Sequence, residues 1–300
     1  RPVPLGTKLV PRGLPVFTVY FANDDDGRRR LGNDSNLDFT APSDGKYLVR
    51  VSDSADLGGD RFAYRLVIRE PRPDFGVSVV AAVFKETKGG GRGVTFKVDR
   101  VDGFDGEITI DATGIPAGFT LSTPVTIEAG HSEANAVLFA EEDATEPSKE
   151  QLAQVRVTAR ADVDGEAREK VVSGLDKMKL DDRGKVSVRL LPASGEEILI
   201  EPGTMVPAIL QVDRHDFADR VSFEVENLPH GVIVDDIGLN GVLILEGQTE
   251  RRIFLTAQDW VQPMTRKVHA VATNVSGQAS QAVTLHIATP TSVAQTEKQE

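Results

Sequence analysis

The chain contains no cysteine. That excludes a disulfide framework, a thiolate-held zinc or iron–sulfur site and a thiol nucleophile. The absence fits the cytosol and equally the cell envelope of many bacteria. Aromatic residues make up only 6% and tryptophan occurs once, so a broad aromatic platform is not expected. Basic residues are outnumbered, 34 Lys and Arg against 46 Asp and Glu, for a net charge of −12. Binding a phosphate backbone needs clustered Lys and Arg, so no nucleic acid partner is expected. An anionic membrane surface is disfavoured on the same ground. No apolar run approaches the ~20 residues of a membrane-spanning helix. No signal peptide is evident, and the chain starts at Arg1 rather than Met, as processing or excision would leave it. Helical pattern is nearly missing too. One turn is expected within Glu146–Leu152, with Ser148 as its cap.

What remains is alternation with a period of two. Val94, Phe96 and Val98 alternate with Thr95, Lys97 and Asp99, and Val283, Leu285 and Ile287 with Thr284, His286 and Ala288. The same pattern runs through Tyr47–Val51, Val155–Ala159 and Val186–Leu190. Such alternation marks half-buried strands. Turn-forming clusters such as Ser43-Asp44-Gly45, Asp102-Gly103 and Asp164-Gly165 punctuate it. Gly89-Gly90-Gly91-Arg92-Gly93 is expected as a flexible hairpin loop. No Lys-Ser/Thr follows it, and a strand follows in place of a helix, so it is not a phosphate loop.

The last two thirds repeat themselves. Val98-Asp99-Arg100, then Ile115-Pro116-Ala117-Gly118, Glu128-Ala129-Gly130 and Leu138-Phe139-Ala140 form the first series. Val212-Asp213-Arg214, then Leu228-Pro229-His230-Gly231, Leu245-Glu246-Gly247 and Leu255-Thr256-Ala257 form the second. The near-constant spacing between counterparts implies a duplicated domain. Val98 and Val212 should be equivalent core positions. Pro116 and Pro229 should each sit in an exposed turn after a strand, with Gly118 and Gly231 at positive φ or in close backbone contact.

The fold class expected is all-β, made of tandem antiparallel β-sandwich modules. Residues 1–72 form a first β module, with strands around Phe17, Leu37, Tyr47 and Leu66. The two repeats occupy 73–174 and 175–288. The segment 174–184 is the joint between them, and 289–300 is a polar tail.

Two resemblances refine this. Phe21-Ala22-Asn23-Asp24-Asp25-Asp26, Asn33-Asp34-Ser35-Asn36-Leu37-Asp38-Phe39, Ala41-Pro42-Ser43-Asp44-Gly45-Lys46-Tyr47 and Tyr64-Arg65-Leu66 occur in that order. The stretch from Pro15 to Pro73 thereby resembles the bacterial pre-peptidase C-terminal (PPC) domain, without that family's usual upstream strands. The resemblance implies a small β-sandwich in secreted bacterial proteins, an accessory role beside peptidases or in long surface proteins, and in some members bound calcium. The turns at Ile115–Gly118 and Leu228–Gly231 are similar to those of bacterial immunoglobulin-like modules.

Candidate chemistry is sparse. Asn23, Asp24, Asp25, Asp26 and Asp34 offer the oxygen ligands calcium prefers, in a spacing unlike an EF-hand. A solvated polar turn is the competing reading. The five histidines, His131, His215, His230, His269 and His286, fall in no zinc spacing and are expected to be scattered. Trp260 is expected as a partly buried corner plug, with a sugar-stacking platform as the alternative. No nucleophile elbow or metalloprotease motif is present. The sequence therefore points to a non-catalytic accessory or structural segment of a larger exported bacterial protein, extracellular or periplasmic. It would space or attach domains through protein or glycan contacts. The alternative is a polysaccharide- or peptide-targeting module of a secreted hydrolase.

Overall fold

The structure is a computed structural model and describes residues 21–23, 35–53, 57–80, 84–175, 177–235 and 241–289. Its contacts divide the chain into two units, Arg1–Phe75 with Asp99–Phe104, and Gly76–Val98 with Asp105–Glu300.

In the first unit, none of the described residues between 21 and 73 forms a strand. The strands expected around Leu37, Tyr47 and Leu66 are absent, and the one around Phe17 lies outside the described residues. Alternation makes a strand only where a second ladder takes up the backbone groups, and none pairs with these segments among the described residues. Leu48, Val49, Tyr64 and Ile68 are accordingly exposed. Phe21, Phe39 and Tyr47 gather edge to face at centroid distances of 5.2 and 5.0 Å. The Asp102 carboxylate accepts from the Arg72 amide at 2.8 Å and pairs with Arg69, while Phe75 lies 5.5 Å from Phe104.

The second unit holds both repeats. The first repeat contributes β1 (Asp74–Val79), β2 (Phe84–Thr87), β3 (Gly90–Val101), β4 (Ile108–Thr113) and β5 (Phe119–Leu121). It continues with β6 (Val125–Ile127), β7 (Glu133–Ala140), the single-turn helix α1 (Lys149–Leu152), β8 (Arg156–Val163) and β9 (Glu166–Val172). The second repeat contributes β10 (Met178–Asp181), β11 (Val186–Pro192), β12 (Ile198–Ile200), β13 (Met205–Arg214), β14 (Val221–Glu226) and β15 (Val232–Asp235). It ends with β16 (Val242–Ile244), β17 (Glu250–Ala257), β18 (Met264–Ala272), β19 (Gln278–Ala279) and β20 (Val283–Ile287).

The two repeats share one topology. In the first, the sheets run β1-β3-β7-β5 and β6-β4-β8-β9; in the second, β11-β13-β17-β15 and β16-β14-β18-β20. Each repeat is an immunoglobulin-like β-sandwich, and the pairing within these four sheets is antiparallel wherever a register is defined. Parallel pairing occurs as well, between β2 and β10 and between β12 and β20. Val98 and Val212 are both buried, on the equivalent strands β3 and β13. Val188, Leu210, Phe223, Ile244, Leu255 and Leu285 fill the second core, drawn from both of its sheets. Phe96, Ile110, Ile127, Leu138 and Val157 are buried at the matching strands of the first repeat.

The matched turns behave alike. Gly118 and Gly231 have φ of 80° and 87°, and Gly114 and Asn227 have φ of 71° and 61°. Glycine and, less readily, asparagine tolerate that region. The Pro116 and Pro229 carbonyls accept from the amides of Phe119 and Val232 at 3.1 and 2.9 Å. Both prolines lie between strands, but both are buried rather than exposed. Each turn folds inward, so that Ala144 rests on Gly118, and Val261 and Trp260 rest on Gly231. Ser148 caps α1 in a capping box with Gln151.

Candidate functional site

The feature that distinguishes this unit is the seam where the repeats meet. Gly89-Gly90-Gly91-Arg92-Gly93 is not a flexible loop. Gly90 opens β3, and Gly91 and Arg92 pair with Ala279 and Gln278 of β19, which in turn pairs with β18. A Cβ on Gly90 would lie 1.8 Å from Gln278 Nε2, and one on Gly91 2.8 Å from Val137. Gly90 leaves room for the second repeat's Gln278 to close onto the first, while Gly91 lets β3 lie close against β7. Gln278 Nε2 donates to Thr87 Oγ1 at 2.8 Å. Val137 of the first repeat is buried with Val271 and Ala279 of the second. The segment 174–184, expected as a joint, supplies β10, whose parallel pairing with β2 ties the repeats a second time. Lys85–Asp181 and Arg183–Glu142 add ion pairs at 2.5 and 3.6 Å.

Glu86 lies on β2 opposite Leu180 and is 1% exposed. Neither carboxylate oxygen has a hydrogen-bond partner among the described residues. Burial pushes its pKa up to about 8, with the positive charge of Arg92 acting weakly in the other direction.

Beside the seam, Arg266 of β18 is 8% exposed at its side chain and reaches into the first repeat. It donates to the Thr126 carbonyl at 2.9 Å and to the Glu128 carboxylate at 2.7 Å. Glu128 also accepts from the His230 amide at 3.3 Å, so one carboxylate holds both a strand and the Pro229-His230 turn of the other repeat. Next to this clamp opens a cleft of about 510 Å³, lined from both repeats. His131 and His230 meet across it edge to face at 5.5 Å, and His230 lies 5.2 Å from Trp260. Trp260 is 52% exposed, and its benzo edge rests on Gly231. It combines the corner packing expected of it with a large open surface. His131 and His230 are brought together, contrary to the expectation of scattered histidines. Nothing in their sequence spacing signals this, because they belong to different repeats.

Of the proposed calcium ligands, Asp24, Asp25, Asp26 and Asp34 lie outside the described residues, and Asn23 is described and exposed. Among the described residues no group of three or more His, Asp or Glu has metal-holding geometry. No helix among them is long and apolar enough to cross a membrane.

No family model matches the chain, and no curated protein matches it. Solved structures do. The chain is similar to the tandem Ig repeats of Dlar at 12% identity and a TM-score of 0.31, over 73% of this chain and 100% of that one. It is similar to the D0-D1 domain of Intimin at 12% identity and a TM-score of 0.25, over 70% and 97%. Domains 5-6 of the S-layer protein SbsC match at 13% identity and a TM-score of 0.25, over 74% and 100%.

Proposed function

We propose that this chain is a non-catalytic structural segment of an exported bacterial protein, placed at the cell surface or in the periplasm, that holds its neighbours at a fixed spacing. The observation that supports this reading is the seam. Tandem modules joined by a linker move independently by default. Here backbone pairing of β3 with β19 and of β2 with β10, together with the Arg266–Glu128 clamp, replaces the linker. An exported location rests on the resemblance of Pro15–Pro73 to the PPC domain of secreted bacterial proteins. Stretching single full-length chains tests the spacing role. The two repeats should give way in one event, and two separate events of similar length would overturn it.

The acidic stretch belongs to the same proposal. Asn23, Asp24, Asp25, Asp26 and Asp34 would bind calcium and relieve the repulsion among their carboxylates. Extracellular calcium modules work at roughly 10⁻⁴–10⁻³ M. A thermal melt in about 5–10 mM calcium should rise by a few degrees over one in chelator. Asp24→Asn with Asp25→Asn should remove the difference, and an unchanged melt of the parent chain would refute calcium binding.

A further inference from the structure

We propose that the cleft between the repeats binds a neutral oligosaccharide. The first ground is a row of rings at its edge, where Trp260 packs on His230 of the lining. His131, His230 and Trp260 form a continuous row of rings, and Trp260 leaves half its surface open to water. The C–H face of a sugar ring is apolar and packs on such rings while its hydroxyls remain free for polar contacts. The second ground is the lining. Asn135 Oδ1 is buried without a hydrogen-bond partner among the described residues, and the neighbouring Glu133 carboxylate is exposed. A buried acceptor left unmatched is costly, and a small turn of the Asn135 amide toward the cleft would let a ligand hydroxyl remove that cost. Arg266, the cleft's fixed cation, already donates to Thr126 and Glu128. Glu128, Glu133 and Asn135 offer acceptors while His131 and His230 offer ring nitrogens that donate or accept, a mixed set matched by a ligand whose hydroxyls do both.

The third ground is charge. Glu128 and Glu133 line the cleft against the single Arg266. Uronic acids, sulfated sugars and phosphates would meet uncompensated carboxylate. Leu228, Pro229 and Ile233 add apolar surface. That mixture of apolar wall and convergent acceptors suits a sugar better than a lysine side chain, which would find only Glu133. The inference rests on the same packing of the repeats as the spacer reading, and the two fail separately because sugar binding is read by Trp260 emission and spacing by stretching.

Trp260 is the only tryptophan and packs on His230 of the lining, so its emission reports on changes at that edge of the cleft. The full chain is titrated with chitohexaose, cellohexaose, xylohexaose and maltohexaose, and separately with a polygalacturonate oligomer and an oligolysine peptide. A saturable emission change is expected with at least one neutral oligosaccharide at roughly millimolar concentration, and none with polygalacturonate. Asn135→Ala should weaken that binding about tenfold without changing the far-ultraviolet circular dichroism. Glu133→Gln alters an exposed side chain, keeps the fold, and should weaken it severalfold. No response to any neutral oligosaccharide would overturn the proposal. So would a response only to polygalacturonate or oligolysine, or undiminished affinity in both variants.

Discussion

A carboxyl group as deeply buried as that of Glu86 stays neutral only while protons are available, and this sets a pH dependence. Its folded pKa of about 8 lies above the ordinary value of 4.5, so the folded state keeps a proton that the unfolded state releases. The stability this group allows is full below about pH 4.5, is lost as pH rises through about 8, and is flat beyond. The fall is on the order of 3–5 kcal/mol. Urea midpoints of the second unit should drop between about pH 4.5 and pH 8, and Glu86→Gln should flatten that drop. A profile unchanged by the substitution would assign the pH dependence elsewhere. A second residue, Arg214, closes the Val212-Asp213-Arg214 series at the end of a long strand. Its guanidinium donates to the carbonyls of Phe217, Leu245 and Gln248 at 3.3, 2.8 and 3.1 Å, tying two loops to β13. Arg214→Ala should cost roughly 2–4 kcal/mol in chemical denaturation. Arg214→Lys should recover only part, because an ammonium cannot fork across those carbonyls.

Among elements, β3 and β19 carry the seam, and Gly90 is its tightest point. A side chain there meets the Gln278 side chain of β19 and the Thr87 hydroxyl. Gly90→Val should push β19 off β3 while leaving the two sandwich cores intact. Amide exchange at Ala279 and Arg92 should then accelerate strongly, with little change at Val212 or Ile110; retained protection at the seam would show the pairing to be unimportant. The paired strands were readable because alternation, turn residues and a repeated series all agreed. Val94–Val98, Val186–Leu190 and Val283–Ile287 each became a strand with the expected inward face. The glycine run misled because its purpose is fixed by a partner nearly 190 residues away, Gln278, which local pattern does not reach. The same holds for the cleft, where His131, His230 and Arg266 meet only through the packing of one repeat on the other. Tyr47–Val51 carried the alternation and a strand was expected around Leu66 but, among the described residues, neither has a ladder to join, so propensity alone formed no sheet there.

At the scale of the whole molecule, the question is whether a duplicated sandwich is two bodies or one. Modules on a linker reorient because few contacts cross between them and those that do are polar. In the second unit the crossing contacts are of another kind: backbone ladders between β3 and β19 and between β2 and β10, the buried cluster around Val137, and Arg266 clamped to Glu128. A ladder resists bending because any hinge motion must break several hydrogen bonds together, and Arg266 cannot withdraw without leaving a largely buried carboxylate short of its cation. ¹⁵N relaxation of the full chain should therefore give one rotational diffusion tensor for amides of both repeats. Gly90→Val combined with Arg266→Ala disrupts a ladder and removes the clamp together. The amides should then separate into two groups with shorter and different correlation times, while each repeat keeps its native chemical-shift dispersion. Two tensors already present in the parent chain would mean that the seam opens in solution, and the repeats would then be flexible beads rather than a fixed spacer.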